Sequence, residues 1–218
     1  MLSAATLTSW SNFVINQIYA YALFNHLYAN IDGYNIASAA KKKSLIGSKD
    51  DLLYGEIPFD SWKRIVERAK PKEDAFFFDL GSGTGRVVVQ SHLLFNFRKS
   101  VGVELIEGLY SKACETKEVF ERIVKPQIKD HIGERELCFY KGNILDTDVA
   151  DADFILLPHP FKKEEDFLRL EEKFLRQLKP GTKIVTLIRS LRNQAFKDLG
   201  YEMFDFSWGE STAYFYEV

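Results

Sequence analysis

The chain has 218 residues, 46% of them hydrophobic and 28% charged, which suits one soluble α/β domain with a small N-terminal extension. Its 29 Lys and Arg against 31 Asp and Glu leave a net charge of −2, which excludes a broad cationic surface of the kind that tracks a phosphate backbone, so nucleic acid is not an expected partner. Cys114 and Cys138 are too few for a disulfide framework and neither stands at metal-ligand spacing, so no metal is expected, and a reducing, intracellular, cytoplasmic setting is.

Residues 1–40 differ from the rest. Asp32 is their sole charged side chain, while Trp10, Phe13, Tyr19, Tyr21, Phe24, Tyr28 and Tyr34 crowd the stretch. An uncharged start and interruptions at Asn12, Asn16, Gln17, Asn25 and His26 argue against a signal peptide. The longest apolar run, Ile18 to Phe24, is far short of a bilayer span. One or two helices packed on the body are expected; a lid over the active site, or a patch that docks on a membrane or partner, is the sharper alternative. Lys41, Lys42, Lys43 and Lys49, followed by Asp50 and Asp51, then read as an exposed basic connector. The expected division is therefore a helical extension and connector over 1–52 and a main domain over 53–218.

The remainder alternates strand-like and helix-like segments. Ala75 to Leu80 (AFFFDL) is a short apolar run ended by glycines, as a buried parallel strand should be. A helix is predicted from about Thr84 to Phe95 and a second strand over Ser100 to Leu105. Helical spacing at Leu109, Ala113, Phe120 and Ile123 predicts a helix from Gly108 to about Lys129, ended or kinked at Pro126. Further strands are predicted over Glu136 to Tyr140, Asp153 to Leu157 and Thr182 to Ile188. Between the last two, Phe167, Leu170, Phe174, Leu175 and Leu178 form one helical stripe, which Lys179-Pro180-Gly181 stops. Tyr201 to Ser207 and Ser211 to Glu217 flank Trp208-Gly209-Glu210 and predict a closing hairpin. This order implies a mostly parallel sheet covered on both faces, with ligand at the carboxyl ends of the strands beside the topological switch point.

Asp79-Leu80-Gly81-Ser82-Gly83-Thr84-Gly85 marks that place: a glycine-rich turn between a strand and a helix, where a Cβ would hold a ligand off the backbone. A phosphate-binding P-loop needs Gly-Lys-Ser/Thr at its end, but Arg86-Val87 follow Gly85. The dinucleotide fingerprint needs a third glycine where Arg86 stands. What remains is a carboxylate, Asp79, two residues before the first glycine, and a second, Glu104, at the end of the next strand. Glu104 can take both ribose hydroxyls of an adenosine, and Asp79 can face the amino group of a methionine moiety. The combination points to S-adenosylmethionine.

DLGSGTG followed by VGVEL resembles the first motifs of class I methyltransferases. That fold is a Rossmann-like, mostly parallel seven-stranded sheet with a C-terminal antiparallel hairpin and helices on both faces. A narrower resemblance lies in Tyr54-Gly55-Glu56-Ile57-Pro58-Phe59-Asp60, about twenty residues ahead of DLGSGTGRVVVQ. The order is similar to that of the disruptor-of-telomeric-silencing family, the non-SET histone lysine methyltransferases. It covers the chain from about Leu53 onward, including Ser207-Trp208 and Tyr214-Phe215-Tyr216. Arg86 after the glycines is also found in related lysine methyltransferases of mitochondrial and membrane proteins.

The resemblance implies a methyl transfer by in-line displacement to a protein lysine, with S-adenosylhomocysteine as product. It implies that Tyr54 and Glu56 close over the methionine end of the cofactor, with Asp79, Gly81, Ser82, Gly83, Gly85 and Arg86 beneath. Glu104 would bind the ribose, and Asn143, where the family usually has Asp, would receive the adenine amine beside Ile144. Pro158, at the end of the fourth strand, stands where the family has an Asn-Asn-Phe motif that orients the acceptor. The departure runs Pro158-His159-Pro160-Phe161. His159, stiffened between prolines, could take a proton or hydrogen-bond the acceptor, and Phe161 could wall the pocket. An aromatic channel for a lysine entering without its proton is assigned to Tyr54, Phe161, Tyr214 and Tyr216. Methylation of a small molecule or nucleic acid, and cofactor binding without turnover, remain open alternatives, and nothing in the pattern specifies an oligomer.

Overall fold

The computed structural model describes residues 17–43, 54–158, 161 and 163–218. Trp10, Phe13, Lys49, Asp50, Asp51 and the candidate base His159 lie outside these residues.

Among the described residues, the aromatic N-terminal segment contributes two helices, α1 over residues 17–28 and α2 over Gly33–Lys43. Asp32 caps α2: its carboxylate accepts from the Asn35 backbone N–H at 2.9 Å and from the Asn35 amide at 2.6 Å. Phe24, Leu27 and Tyr28 of α1 are buried among Val88, Val89, Phe120 and Ile128. Ile18 and Tyr19 of α1 are exposed, and Tyr21, half-exposed, meets the Phe59 ring edge-on at 5.0 Å.

After α3 (Phe59–Ala69), the strands are β1 (Phe76–Leu80), β2 (Lys99–Glu104), β3 (Glu136–Lys141), β4 (Phe154–Leu157), β5 (Lys183–Leu187), β6 (Lys197–Phe206) and β7 (Gly209–Glu217). Intervening helices are α4 (Arg86–Leu94), α5 (Glu107–Val119), α6 (Lys125–Ile132) and α7 (Glu164–Gln177). The sheet order is β3-β2-β1-β4-β5-β7-β6. β1 to β5 pair in parallel, and β7 runs antiparallel to both β5 and β6. Because both faces are covered, β1 is apolar apart from Asp79: Phe77 enters one core with Trp62 and Phe154, and Phe78 enters the other with Phe167 and Phe174 of α7. The chain winds outward from β1 to β3, then returns to β4 and winds the other way, which opens a crevice above the carboxyl ends of β1 and β4.

Two elements depart from the sequence reading. The helix expected to end or kink at Pro126 continues to Ile132, through a π-helical turn over Phe120–Val124 that leads into α6. Pro126 sits in the first turn of α6, where its missing N–H is tolerated, and the wider turn ahead relieves the clash its ring would meet. The hairpin is longer than expected. β6 starts at Lys197, with a bulge between Asp198 and Tyr201 at Gly200 (φ +90°), and only Ser207-Trp208 form the turn. The bulge breaks the alternation that would reveal the strand's first half.

Candidate active site

The crevice is a cleft of about 470 Å³. Its floor is the turn after β1. Gly81 (φ +106°) adopts a backbone that side chains avoid, and a Cβ there would meet no protein atom within 4 Å, so it would project into open cleft. Gly83 lies under the Tyr54 ring, 2.8 Å from where its Cβ would be. Gly85 does a different job from the one expected. It does not line the cleft; its Cβ would strike Phe139 at 2.5 Å, so it is a glycine for packing α4 against the sheet. Ser82 contributes backbone to the floor, while its Oγ turns inward to within 2.6 Å of where a Gly102 Cβ would sit.

The two carboxylates differ. Each Glu104 oxygen already accepts one backbone N–H, Oε2 from Gly83 and Oε1 from Ile106, both at 2.8 Å. The residue thus holds the turn in shape and keeps lone pairs for hydroxyls. Burial pushes its carboxyl up, partly countered by the Ile106 and Gly83 N–H groups. Asp79 is 2% exposed, and its Oδ1 has no partner among the described residues. Burial, then the charge on Glu104, holds its carboxyl well above the usual range. A buried carboxylate with an orphaned oxygen on a cleft wall is suited to a cationic ligand group, and a Cβ-free floor to a ligand lying on backbone. The residues therefore fit the ammonium end and the body of S-adenosylmethionine.

Tyr54 and Glu56 roof this end. Tyr54 Oη donates to Glu56 Oε1 at 2.9 Å and lies 3.2 Å from Thr84 Oγ1. Burial raises its phenol pKa. The Glu56 N–H donates to Ser207 Oγ at 2.7 Å, and Ser207 Oγ is 2.6 Å from Tyr34 Oη. Arg86 ties these pieces to α1: its guanidinium lies 5.1 Å from the Phe24 ring and 4.7 Å from the Tyr28 ring, and its Nε is 3.4 Å from Glu56. Tyr28 Oη donates to the Thr84 carbonyl at 3.2 Å.

Asn143 and Ile144 line the far end. Asn143 Oδ1 accepts from the Leu145 N–H at 3.0 Å, which leaves one lone pair on that oxygen. Lys173 Nζ, buried within α7, donates to the carbonyls of Ile144 at 2.6 Å and of Thr147.

At the mouth the structure brings together Tyr54, Pro158 and Phe161, and adds Trp208, Leu105 and Ile188, which the sequence reading missed. Trp208 stacks on Phe206 and covers Gly55, whose Cβ would meet its ring at 2.3 Å. The family resemblance took in Ser207-Trp208 but gave Trp208 no place on the cleft. Tyr214 and Tyr216 are not on the cleft. Tyr216 points into the core, where its Oη accepts from the Leu191 N–H at 3.1 Å, and Tyr214 packs on the same core and on Tyr201. Of the four residues expected to form an aromatic channel, Tyr54 and Phe161 line the cleft, and Trp208 lines it with them. Phe161 is anchored through its carbonyl, which accepts from Arg189 Nη1 at 2.9 Å.

Residues 35–205 match the family described as Histone methylation protein DOT1. A protein-lysine N-methyltransferase of Saccharolobus islandicus is 29% identical over 133 residues, covering 61% of this chain and 74% of the relative. A histone-lysine N-methyltransferase of Kluyveromyces lactis, specific for H3 lysine-79, is 25% identical over 211 residues. That match takes in 90% of this chain but 32% of the yeast protein, so the chain spans about a third of it. Among solved structures, an RNA methyltransferase of Salinibacter ruber in complex with S-adenosyl-L-homocysteine superposes with a TM-score of 0.52 at 23% identity, over 74% of this chain and 92% of that one. The likeness establishes the class I methyltransferase fold.

Proposed function

The chain belongs to the DOT1 family of S-adenosylmethionine-dependent histone methylation proteins, and on that premise we propose that it methylates the side-chain amine of a lysine in a protein. One observation carries the reading: a single cleft joins a buried, unpartnered carboxylate at Asp79 to an aromatic mouth at Phe161 and Trp208.

When bound, the cofactor supplies a methyl group already activated on a sulfonium, and it leaves as S-adenosylhomocysteine. The protein's work is then alignment and proton management. Asp79 would hold the ammonium of the methionine moiety, Glu104 the ribose hydroxyls, and the free lone pair and NH₂ of Asn143 the adenine edge against Ile144. The Tyr54–Glu56 roof excludes water from that end. A lysine near pKa 10.4 is almost wholly protonated at neutral pH and has no lone pair to attack with. Apolar walls at Phe161, Trp208 and Ile188 disfavour the ammonium as it enters, so its proton is lost to solvent at the mouth.

Pro158 stands where the histone enzymes carry the acceptor-orienting amide, and the chain has a net charge of −2, so the acceptor we propose is a protein other than a histone. Among the described residues no helix is long and apolar enough to cross a membrane. The exposed Ile18, Tyr19 and Tyr21 on α1 support peripheral contact with a membrane or a membrane protein. Two free cysteines support a reducing, intracellular setting.

Transfer of labelled methyl into a fractionated lysate tests the reading, with an Asp79→Ala, Glu104→Ala double variant as control. Acid-stable label in protein, lost in the variant, is expected. Label confined to nucleic acid, lipid or small molecules would overturn the substrate class, and cofactor binding without any label would point to a binding domain.

A further inference from the structure

Ile188, the residue after β5, has a conformation that a β-branched residue almost never adopts. Its φ is +69°, and the Arg189 N–H bonds back to the Leu187 carbonyl at 2.7 Å, closing a three-residue γ-turn around it. That hand of γ-turn is rare and strained, and a branched Cβ makes it worse. Such a corner persists only where its surroundings hold it. Here the Ile188 N–H donates to the Thr212 carbonyl of β7 at 3.0 Å, and Thr186 Oγ1 donates to the Arg189 carbonyl at 2.6 Å. The Arg189 guanidinium pairs with Glu164, lies 4.0 Å over the Phe167 ring, and donates to the Phe161 carbonyl.

The fold does not need an isoleucine at this corner. The side chain is 49% exposed and belongs to none of the three core clusters. Glycine or asparagine would occupy the same backbone with less strain. What isoleucine adds is an apolar group on the wall of the cleft that Pro158, Phe161 and Trp208 also line, where Lys163 and Asp166 are the charged neighbours. Two of these rim residues are tied together, because the backbone of Arg189 closes the Ile188 turn and its side chain holds Phe161.

We infer that Ile188 is a specificity-determining residue for the acceptor. Resting on the lysine methyltransferase reading, it selects a lysine whose flanking residue is uncharged and apolar, and the γ-turn is the device that projects it. Strain kept at the rim of a site, and on no other work, is the observation that carries this.

The full chain is compared with Ile188→Gly, Ile188→Asn and Ile188→Val. Three readouts are taken: tritium transferred from labelled S-adenosylmethionine to total lysate protein, S-adenosylhomocysteine affinity by calorimetry, and melting temperature. The glycine and asparagine variants are expected to melt at or above the wild type and to bind S-adenosylhomocysteine within about twofold. They are expected to lose about tenfold or more in transfer at limiting lysate protein, with the deficit narrowing as protein is raised. The valine variant should keep most of the wild-type rate. Transfer within about twofold of wild type in both variants, or a parallel loss of S-adenosylhomocysteine affinity, overturns the inference. So does a lower melting temperature, because the turn would then not be strained. A wild type that labels no protein instead sinks the lysine reading and this inference with it, a result distinct from equal labelling by all four chains.

Discussion

Arg86→Ala tests whether the N-terminal helices are part of the catalytic unit. The guanidinium lies 4.7 Å from the Tyr28 ring and 5.1 Å from the Phe24 ring, and pairs with Glu56 at 3.4 Å. Both ionic side chains are 22% exposed, so the cluster is neither dry nor freely solvated. An intermediate cation–π contact is worth about 1 kcal/mol, and there are two. A half-screened ion pair adds about 0.5 to 1 kcal/mol. Together the loss is about 3 kcal/mol, which in a chain of this size lowers Tm by roughly 6 to 12 °C. Thermal melting followed by circular dichroism reads the magnitude. Hydrogen exchange should rise in residues 17–28, because α1 keeps its Phe24 and Tyr28 burial but loses the group it is wrapped around. S-adenosylhomocysteine affinity should fall as well, since Glu56 loses its partner. Arg86→Lys should recover part of the loss through charge but not the planar stacking. A variant that melts within about 2 °C of wild type, with unchanged exchange over 17–28, would refute the clasp and leave α1 held by apolar burial alone.

Three other outcomes follow from the site. The Asp79 carboxyl is raised above its ordinary 3.8 by burial and Glu104, so the stability it contributes is full below that pH and is lost as pH rises through the raised value. Asp79→Asn should therefore raise Tm at neutral pH and flatten its acid-side dependence, while weakening S-adenosylhomocysteine by roughly ten- to a hundredfold through loss of a charged hydrogen bond; unchanged affinity by calorimetry would remove Asp79 from the ligand site. His92 is fully buried with neither ring nitrogen bonded, and burial with the Arg135 and Lys125 charges lowers its pKa from 6.5 to about 3. Its stability contribution is present above pH 6.5 and lost as pH falls toward 3, so in urea melts the wild type should lose about 2 kcal/mol more than His92→Leu between pH 6.5 and 5; parallel slopes would refute this. Lys173→Met leaves the Ile144 and Thr147 carbonyls without their ammonium and should weaken S-adenosylhomocysteine about tenfold, with partial rescue in Lys173→Arg; equal affinity in all three chains would free the loop from α7.

Much of this molecule was legible in local pattern. AFFFDL ahead of a glycine turn, the Phe167–Leu170–Phe174 stripe and the paired carboxylates Asp79 and Glu104 each announce their element or their place, because strand period, helix period and turn chemistry act within a few residues. Tyr54, Glu56, Asn143, Ile144 and Pro158, singled out by the family resemblance rather than by local pattern, all line the one cleft. Side-chain destinations were a different matter. Tyr216 and Tyr214 lie in a strand whose register against β5 turns both onto the same core, Tyr214 also against Tyr201, while Trp208, three residues before the last predicted strand, swings over Gly55. Gly81 and Gly85 are indistinguishable as letters, yet one opens to the cleft and the other is closed by Phe139 from β3. Arg86 finds rings some sixty residues upstream, and the Ile188 turn is held by a hydrogen bond to Thr212 of β7. Each of these depends on contacts between segments far apart in the chain, and only the assembled sheet, by setting register and burial together, decides which side chain meets which.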